Sequence, residues 1–538
     1  MLDRVLIAAR GPRASVAARI DALARWYGVR AESREVAGGA VTVAALGTTL
    51  GSSAAFQESP PATLDVLGAE ASELRRYEGG GATLASSADR ARIVAGAGAP
   101  ASLYGASSGE VDAWATHAVA AAFVAHGSAA VDPRSIPELL ALEFIGDSRA
   151  LVAGARALDA AACVDLSATR AEEWCYWPAR ERWAAVPEEA AYEHAESHLL
   201  RTLAIRLRGV DRAHSGLTAG LDSRVAALAL DELGMSFDGY TWGSPDDEDV
   251  VGGAEVSEAL GAPHRTLGIE TWTGSEALRQ TRSAARWTEG AIHVGFGNIA
   301  WGPDMQAFVT GAGGETGRCF YYRDHARERP PGDLAGVVVA QLASRIAGAR
   351  PEAVAALHDR VRDWVAAAEG TGHRGWRALD VVYGEQRVRR WLRGMLPHGR
   401  APMVPAFATP EVQRALVSLP LAERRADGFH RRFIEARRPD LLPPPSRTGT
   451  AGGRRPLARM SRRLRQGRLD GQWRSRPEYR DWIADGVLGH PLAIEAMGER
   501  WCRRTRSRFF AGDQFAVERA LWLGGPVALA EALGDLRA

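Results

Sequence analysis

Apolar positions along this chain follow two rhythms. In the first third, short apolar runs are broken by turns containing Gly and Asp. Arg4 to Ala9 and Ala40 to Leu46 read as strands, as do Thr83 to Ser86, Ala91 to Ala95 and Ala101 to Tyr104. Helical spacing predicts helices over Ser15 to Tyr27, Glu110 to Ala125 and Ile136 to Phe144. A loop near Pro178 to Pro187 leads into a helix from Glu188 to Leu207. Beyond it, strand-like segments recur at Leu217 to Thr218, Phe237 to Trp242, His264 to Leu267 and Phe308 to Thr310. Helices lie between them, notably Val225 to Leu233 and Val250 to Leu260. Alternation at this spacing predicts a parallel, doubly wound sheet. From Pro330 onward the pattern is mostly helical, interrupted by a polar Pro-, Gly- and Arg-rich stretch, Pro443 to Pro456, that reads as a loop or lid. The expected fold class is α/β, with an α+β domain over residues 1–185 and a parallel-sheet domain with a helical C-terminal part over 186–538.

Composition narrows the partners. The 538 residues are 46% hydrophobic, enough for sizeable cores, and the net charge of +1 gives no basic surface for nucleic acid. There is no lysine, so every basic side chain other than histidine is arginine. Arg suits bidentate binding of phosphate and is a poor proton donor. Cys163, Cys175, Cys319 and Cys502 show no metal-binding spacing, and read as reduced packing residues of a cytoplasmic protein. The start, Met1-Leu2-Asp3-Arg4, is unlike a signal peptide, and no apolar run reaches the ~20 residues of a membrane span.

Two segments carry chemistry. Leu217-Thr218-Ala219-Gly220-Leu221-Asp222-Ser223-Arg224 reads as a strand end, a turn of small residues and a helix start. Such a turn directs backbone N–H groups and a positive dipole end at one point, a pocket for a polyanion. Asp222 is placed to hold Mg²⁺ between phosphates. The second segment, Val309-Thr310-Gly311-Ala312-Gly313-Gly314-Glu315-Thr316-Gly317-Arg318, follows another apolar strand and again joins small residues to a carboxylate. Mg²⁺ needs only one or two protein carboxylates beside phosphate and water, so Asp222 and Glu315 are the candidate metal ligands. Arg318 is placed to reach a phosphate.

The first loop resembles the pyrophosphate loop of adenylating enzymes, commonly Ser-Gly-Gly-x-Asp-Ser. The second is similar to the Gly-x-Gly-Ala-Asp-Glu loop of the asparagine synthetase-like superfamily, which includes β-lactam synthetases and lasso-peptide macrolactam cyclases. Gly311, Gly313 and Gly314 align, and Glu315 takes the place of the metal-binding Asp. Weaker likenesses lie in Ala97 to Tyr104, in Pro137 to Leu166, and in Pro405-Ala406-Phe407-Ala408-Thr409-Pro410 with Leu416 to Pro420. The resemblance implies a degenerate glutamine-amidotransferase-like first domain and a ligase domain that binds ATP and Mg²⁺. It implies cofactor contacts from Thr218, Ala219, Gly220, Leu221, Asp222, Ser223, Gly311, Gly313 and Arg318, with Trp242 at the edge of the adenosine pocket. The activity implied is AMP-forming: a carboxylate is activated as an acyl-adenylate and an amine attacks it to give an amide.

The departures are equally specific. Glutamine-hydrolysing members expose Cys directly after the initiator Met, where this chain has Leu2, so no glutaminase activity is expected. A family Glu four residues before the Pro of the “P-F-L-D” segment is Ala401 here, and a family Lys near the C-terminal loop has no counterpart. Arg447 stands in for its charge but not for proton transfer. β-Lactam synthetases pair a Tyr with a Glu as base; Tyr383 and Glu385 are the candidates here, with His398 a weaker one. The substrates would be a carboxylate and an amine, small molecule or peptide. A lasso-type cyclase and a catalytically degenerate nucleotide- or partner-binding protein remain the alternatives, and a homodimer stays open.

Overall fold

The structure, a computed structural model, describes residues 5–47, 66–75, 81–98, 102–243, 245–267, 274–294, 306–323, 325, 330–342, 350–394, 403–442 and 477–537. It is a mixed α/β fold with two antiparallel sheets and one parallel sheet. The strands are β1 (Val5–Arg10), β2 (Ala31–Val36), β3 (Val41–Leu46), β4 (Ala82–Ser86), β5 (Arg90–Ala95), β6 (Tyr104–Ser107), β7 (Asp112–Ala115), β8 (Arg156–Ala157), β9 (Ala162–Ser167) and β10 (Ala171–Cys175). They are followed by β11 (Ala213–Gly216), β12 (Phe237–Trp242), β13 (His264–Leu267), β14 (Phe308–Thr310) and β15 (Met403–Pro405).

The first sheet has the order β2-β3-β1-β7-β6-β8 and the second β10-β9-β5-β4. Side chains alternate across a strand, so a strand covered on both faces reads as a continuous apolar run. β1 does so: Leu6 and Ala8 face the second sheet with Val43, Leu84, Ile93 and Val164. Val5, Ile7 and Ala9 face the helix Ala118–His126 and the C-terminal helices. The last long helix, Gln514–Leu533, returns to the first: the Trp26 indole N–H donates to the Ala532 carbonyl at 2.8 Å. One core therefore holds both ends of the described chain.

The third sheet is parallel throughout, with the order β13-β12-β11-β14-β15. The chain runs outward from β11 to β13, then crosses back to β14 on the other side of β11. The order reverses between β11 and β14, and in open parallel sheets the carboxyl ends of strands at such a reversal are where ligands bind. Leu217, Val225, Val309, Val404 and Phe433 pack around this sheet, and Tyr322, Trp364, Trp376 and Tyr383 join a second core beside it.

Three sequence expectations need correction. The central strand is Ala213–Gly216 rather than Leu217 to Thr218. His214 and Ser215 are buried in mid-sheet, and these polar residues hide the strand from an apolar pattern. The expected helix from Glu110 to Ala125 is a strand, β7, then a helix starting at Ala118. β7 is claimed on both sides by β1 and β6, which overrides the helical preference of its alanines. The strand expected over Ala101 to Tyr104 begins only at Tyr104, and Ala101 lies outside the described residues. The strands β2, β8 and β10 carry no strong apolar rhythm, whereas β9 and β15 consist mostly of buried apolar residues. No described helix is long and apolar enough to cross a membrane.

Candidate functional site

The chain leaves β11 at Gly216, and Leu217 N–H still donates to the Tyr240 carbonyl at 2.8 Å. It then turns through Thr218, Ala219 and Gly220 into the helix Leu221–Glu232. Ser223 braces the turn: its Oγ accepts from Thr218 N–H at 3.1 Å and lies 3.0 Å from Thr218 Oγ1. Thr218 Oγ1 also accepts from Gly220 N–H at 3.1 Å. Ala219, where the resembled loop has Gly, is not among the residues with positive φ. Its side chain seats on Gly252, where any Cβ would collide with it, so the extra methyl is accommodated by a missing one opposite. Leu221 is buried in the sheet core and offers the site its backbone only. Arg224 is also buried and donates to the carbonyls of Ala219 and Leu441, holding the loop from behind.

The second loop interlocks with the first. A Cβ on Gly311 would lie 2.5 Å from the carbonyl carbon of Asp222, and one on Gly314 would overlap the Asp222 carboxylate. Gly313 has φ +91°, a conformation open mainly to glycine. Gly311 and Gly314 are what allow the two loops to touch, and the touch sets Glu315 beside Asp222. Burial and the Asp222 charge push the Glu315 carboxyl above its usual range.

Asp222 faces a guanidinium and an imidazole. Arg318 Nη1 lies 2.8 Å from its Oδ2, and His430 Nε2 lies 2.8 Å from its Oδ1. Burial pushes the Asp222 carboxyl up, but Arg318 and His430 outweigh it and hold it down at about 2. The His430 approach is outside hydrogen-bond angles, so Asp222 Oδ1 and both ring nitrogens of His430 are buried without a hydrogen bond. An acceptor in that state, next to a second carboxylate, fits a bound divalent cation. Arg318 is itself fixed by Asp427, whose Oδ1 takes its Nε at 2.7 Å while Oδ2 takes Arg323 at 2.8 Å. Asp427 is fully buried with φ +59°, which Asp tolerates better than most residues.

Tyr383 and Glu385 are not brought together. Tyr383 opens a π-helical turn, Tyr383–Val388, and its hydroxyl donates to Glu315 Oε2 at 2.9 Å. Burial and the Glu315 charge push this phenol well above its usual range, and as placed its hydroxyl donates to Glu315. Glu385 points elsewhere. Arg182 reaches it at 2.8 Å, the Trp183 indole donates to it, and Arg389 lies 3.9 Å away. Burial would raise its pKa, but Arg182 and Arg389 hold it below the usual carboxylate range. Residues two apart on a helix do not share a face, which is the physical reason the expected pair fails to form. Trp242 ends β12 at the same edge of the sheet, and Asp247 precedes the helix Glu248–Ala259. Leu2, Ser244, His398, Ala401, Arg447 and the stretch Pro443 to Pro456 lie outside the described residues.

Asp427 and His430 escape a sequence reading because they lie far along the chain from the loops they serve, and Arg323, close behind the second loop, reaches the site only through Asp427. The Asp427-Gly428 dipeptide is of a kind that marks a turn, and a turn signal names no ligand.

The pairing of Asp222 with Glu315 has a measurable consequence. A carboxyl whose pKa is raised in the folded state adds stability only while it is protonated, and that contribution is lost as pH rises through the folded value. Glu315→Gln is therefore expected to raise the urea midpoint of the metal-free protein at neutral pH. The gain should vanish below the ordinary glutamate value of 4.5. An unchanged or lower midpoint at pH 7 would show that Glu315 carries no electrostatic strain. No protein-family model and no curated protein sequence matches this chain.

Proposed function

We propose that this protein is an ATP-dependent, AMP-forming amide-bond ligase of the asparagine synthetase-like kind. The observation that carries the reading is the meeting of Asp222 and Glu315 on two interlocked small-residue loops at the strand reversal of a parallel sheet. Asp222 and Glu315 would hold Mg²⁺, which would offset phosphate charge while the α-phosphorus is attacked. The N–H groups opening the helix Leu221–Glu232 would receive a phosphate oxygen. Arg318 would supply positive charge in a chain without lysine, remaining anchored by Asp427. Tyr383 would orient Glu315 through its hydroxyl. The antiparallel sheets would be an amidotransferase-like scaffold, and the parallel sheet the doubly wound adenylating part, in a cytoplasmic enzyme.

The test is the fate of labelled ATP with Mg²⁺ and pooled carboxylates and amines. AMP and pyrophosphate released only with a particular acceptor support the ligase; ADP formation would end the α-phosphate mechanism. Glutamine added to the same assay is expected to release no glutamate, and steady release would overturn the scaffold role of the antiparallel sheets. One observation favours a second reading. Arg318 and His430 already cover Asp222, as they would in a protein that binds nucleotide or a partner without turning it over. Saturable ATP binding with Mg²⁺-independent affinity and no AMP from any pool would favour that reading.

A further inference from the structure

Away from the loops, the helix Glu188–Arg206 carries His194 and His198 one turn apart, so both rings emerge on one face. The rings stack with centroids 4.3 Å apart. Facing them, the first turn of the helix Pro410–Ser418 presents Glu411, whose Oε2 lies 2.9 Å from His194 Nε2. One ligand atom from each of the three lies within 4.8 Å of the others. All three side chains are half-buried, neither sealed from solvent nor free in it.

We propose that His194, His198 and Glu411 form a binding site for a borderline transition-metal ion of the Zn²⁺ type. Two imidazoles and one carboxylate are the donor set such ions prefer, whereas Mg²⁺ and Ca²⁺ take oxygen ligands. Donors around a tetrahedral ion with ~2 Å bonds stand about 3.3 Å apart, so the cluster must close by small side-chain rotations. Arg414 binds the same carboxylate at 2.5 Å, and the contacts of Glu411 among the described residues fall on Oε2. Oε1 is then the carboxylate oxygen open to a metal.

The position suggests a clip. The first helix leads into β11 and its loop, while the second packs Leu416 against Gly317 of the other loop. A metal joining them would tie together two elements that border the site, without entering it. The site stands on its own ligands and does not rest on the ligase reading.

The test is calorimetric titration of the chelator-treated full chain with Zn²⁺, in excess Mg²⁺ to occupy all-oxygen sites. The expected result is one saturable site, a rise in melting temperature on loading, and a loss of affinity of at least about tenfold in both His194→Ala and Glu411→Gln. Glu411→Gln keeps the side chain's size, so a folded variant is expected for comparison. Absence of saturable Zn²⁺ binding, or binding of unchanged affinity in both variants, would overturn the site.

Discussion

Replacing Asp222 by Asn is expected to reduce ATP–pyrophosphate exchange by about a thousandfold or more, while circular dichroism shows the fold retained. The size follows from what the carboxylate does in the proposed site. It supplies half of the anionic pair that would hold Mg²⁺, and an amide cannot replace that charge. The fold survives because Asn is isosteric and Arg318 keeps its second anchor on Asp427. Stability changes in a defined pH window. The Asp222 pKa is held at about 2 instead of 3.8. At ~1.4 kcal/mol per pKa unit, that difference corresponds to about 2 kcal/mol. A depressed carboxyl stabilises the folded state above its unfolded value and loses that contribution as pH falls through its folded value. Wild type should therefore exceed Asp222→Asn in urea stability at pH 6, and the gap should close between pH 4 and 2. Relief of Glu315 in the variant offsets part of the difference at neutral pH. Undiminished exchange would remove Asp222 from the metal site.

The largest stability effect is expected behind the site. Arg424 is 1% exposed and Asp380 2%. Their ion pair spans 2.5 Å, and the Tyr322 hydroxyl donates to the same carboxylate oxygen at 2.6 Å. Arg424 also donates to the Leu419 carbonyl at 3.1 Å. Arg424→Met would strand the Asp380 carboxylate in a dry core, at a cost of about 3–5 kcal/mol. The double variant Arg424→Met, Asp380→Leu should recover most of this loss, because no charge is then left unpaired. Both are read from urea unfolding curves, and a single-variant loss below about 1 kcal/mol would show that the pair is not dry. The triad matters to the chemistry because each member has a site residue close by in sequence. Tyr322 follows the second loop, Asp380 precedes Tyr383, and Arg424 precedes Asp427. Loosening it should weaken the hold on Arg318 and Glu315 together.

How far the sequence could be read depended on the range of each interaction. β12, β13 and β14 match the bounds the sequence predicts, and turn glycines such as Gly234, Gly243 and Gly261 mark their flanks better than apolar character does, since β13 reads His264-Arg265-Thr266-Leu267. β11 was displaced because burial of His214 and Ser215 is decided by the neighbouring strands. The edge strand β15, Met403-Val404-Pro405, is apolar and buried but too short to show a rhythm. In the site, Asp222 and Glu315 were legible from the small residues around them. The partners of Glu315 and Arg318 were not, since Tyr383 lies 68 residues from Glu315 and Asp427 lies 109 from Arg318.

The sequence by itself determined the two small-residue loops, the acids they carry and the absence of lysine. Those features rest on local backbone geometry and side-chain chemistry, which act within a few residues. Only the tertiary structure decided that the loops interlock through Gly311 and Gly314, and that Arg318 and His430 cover Asp222. It also turned Tyr383 toward Glu315 and away from Glu385, and brought the C-terminal helices back to the first sheet. These outcomes depend on close packing between segments far apart in the chain, where the identity of a neighbour is set by shape and burial and no short-range pattern encodes it.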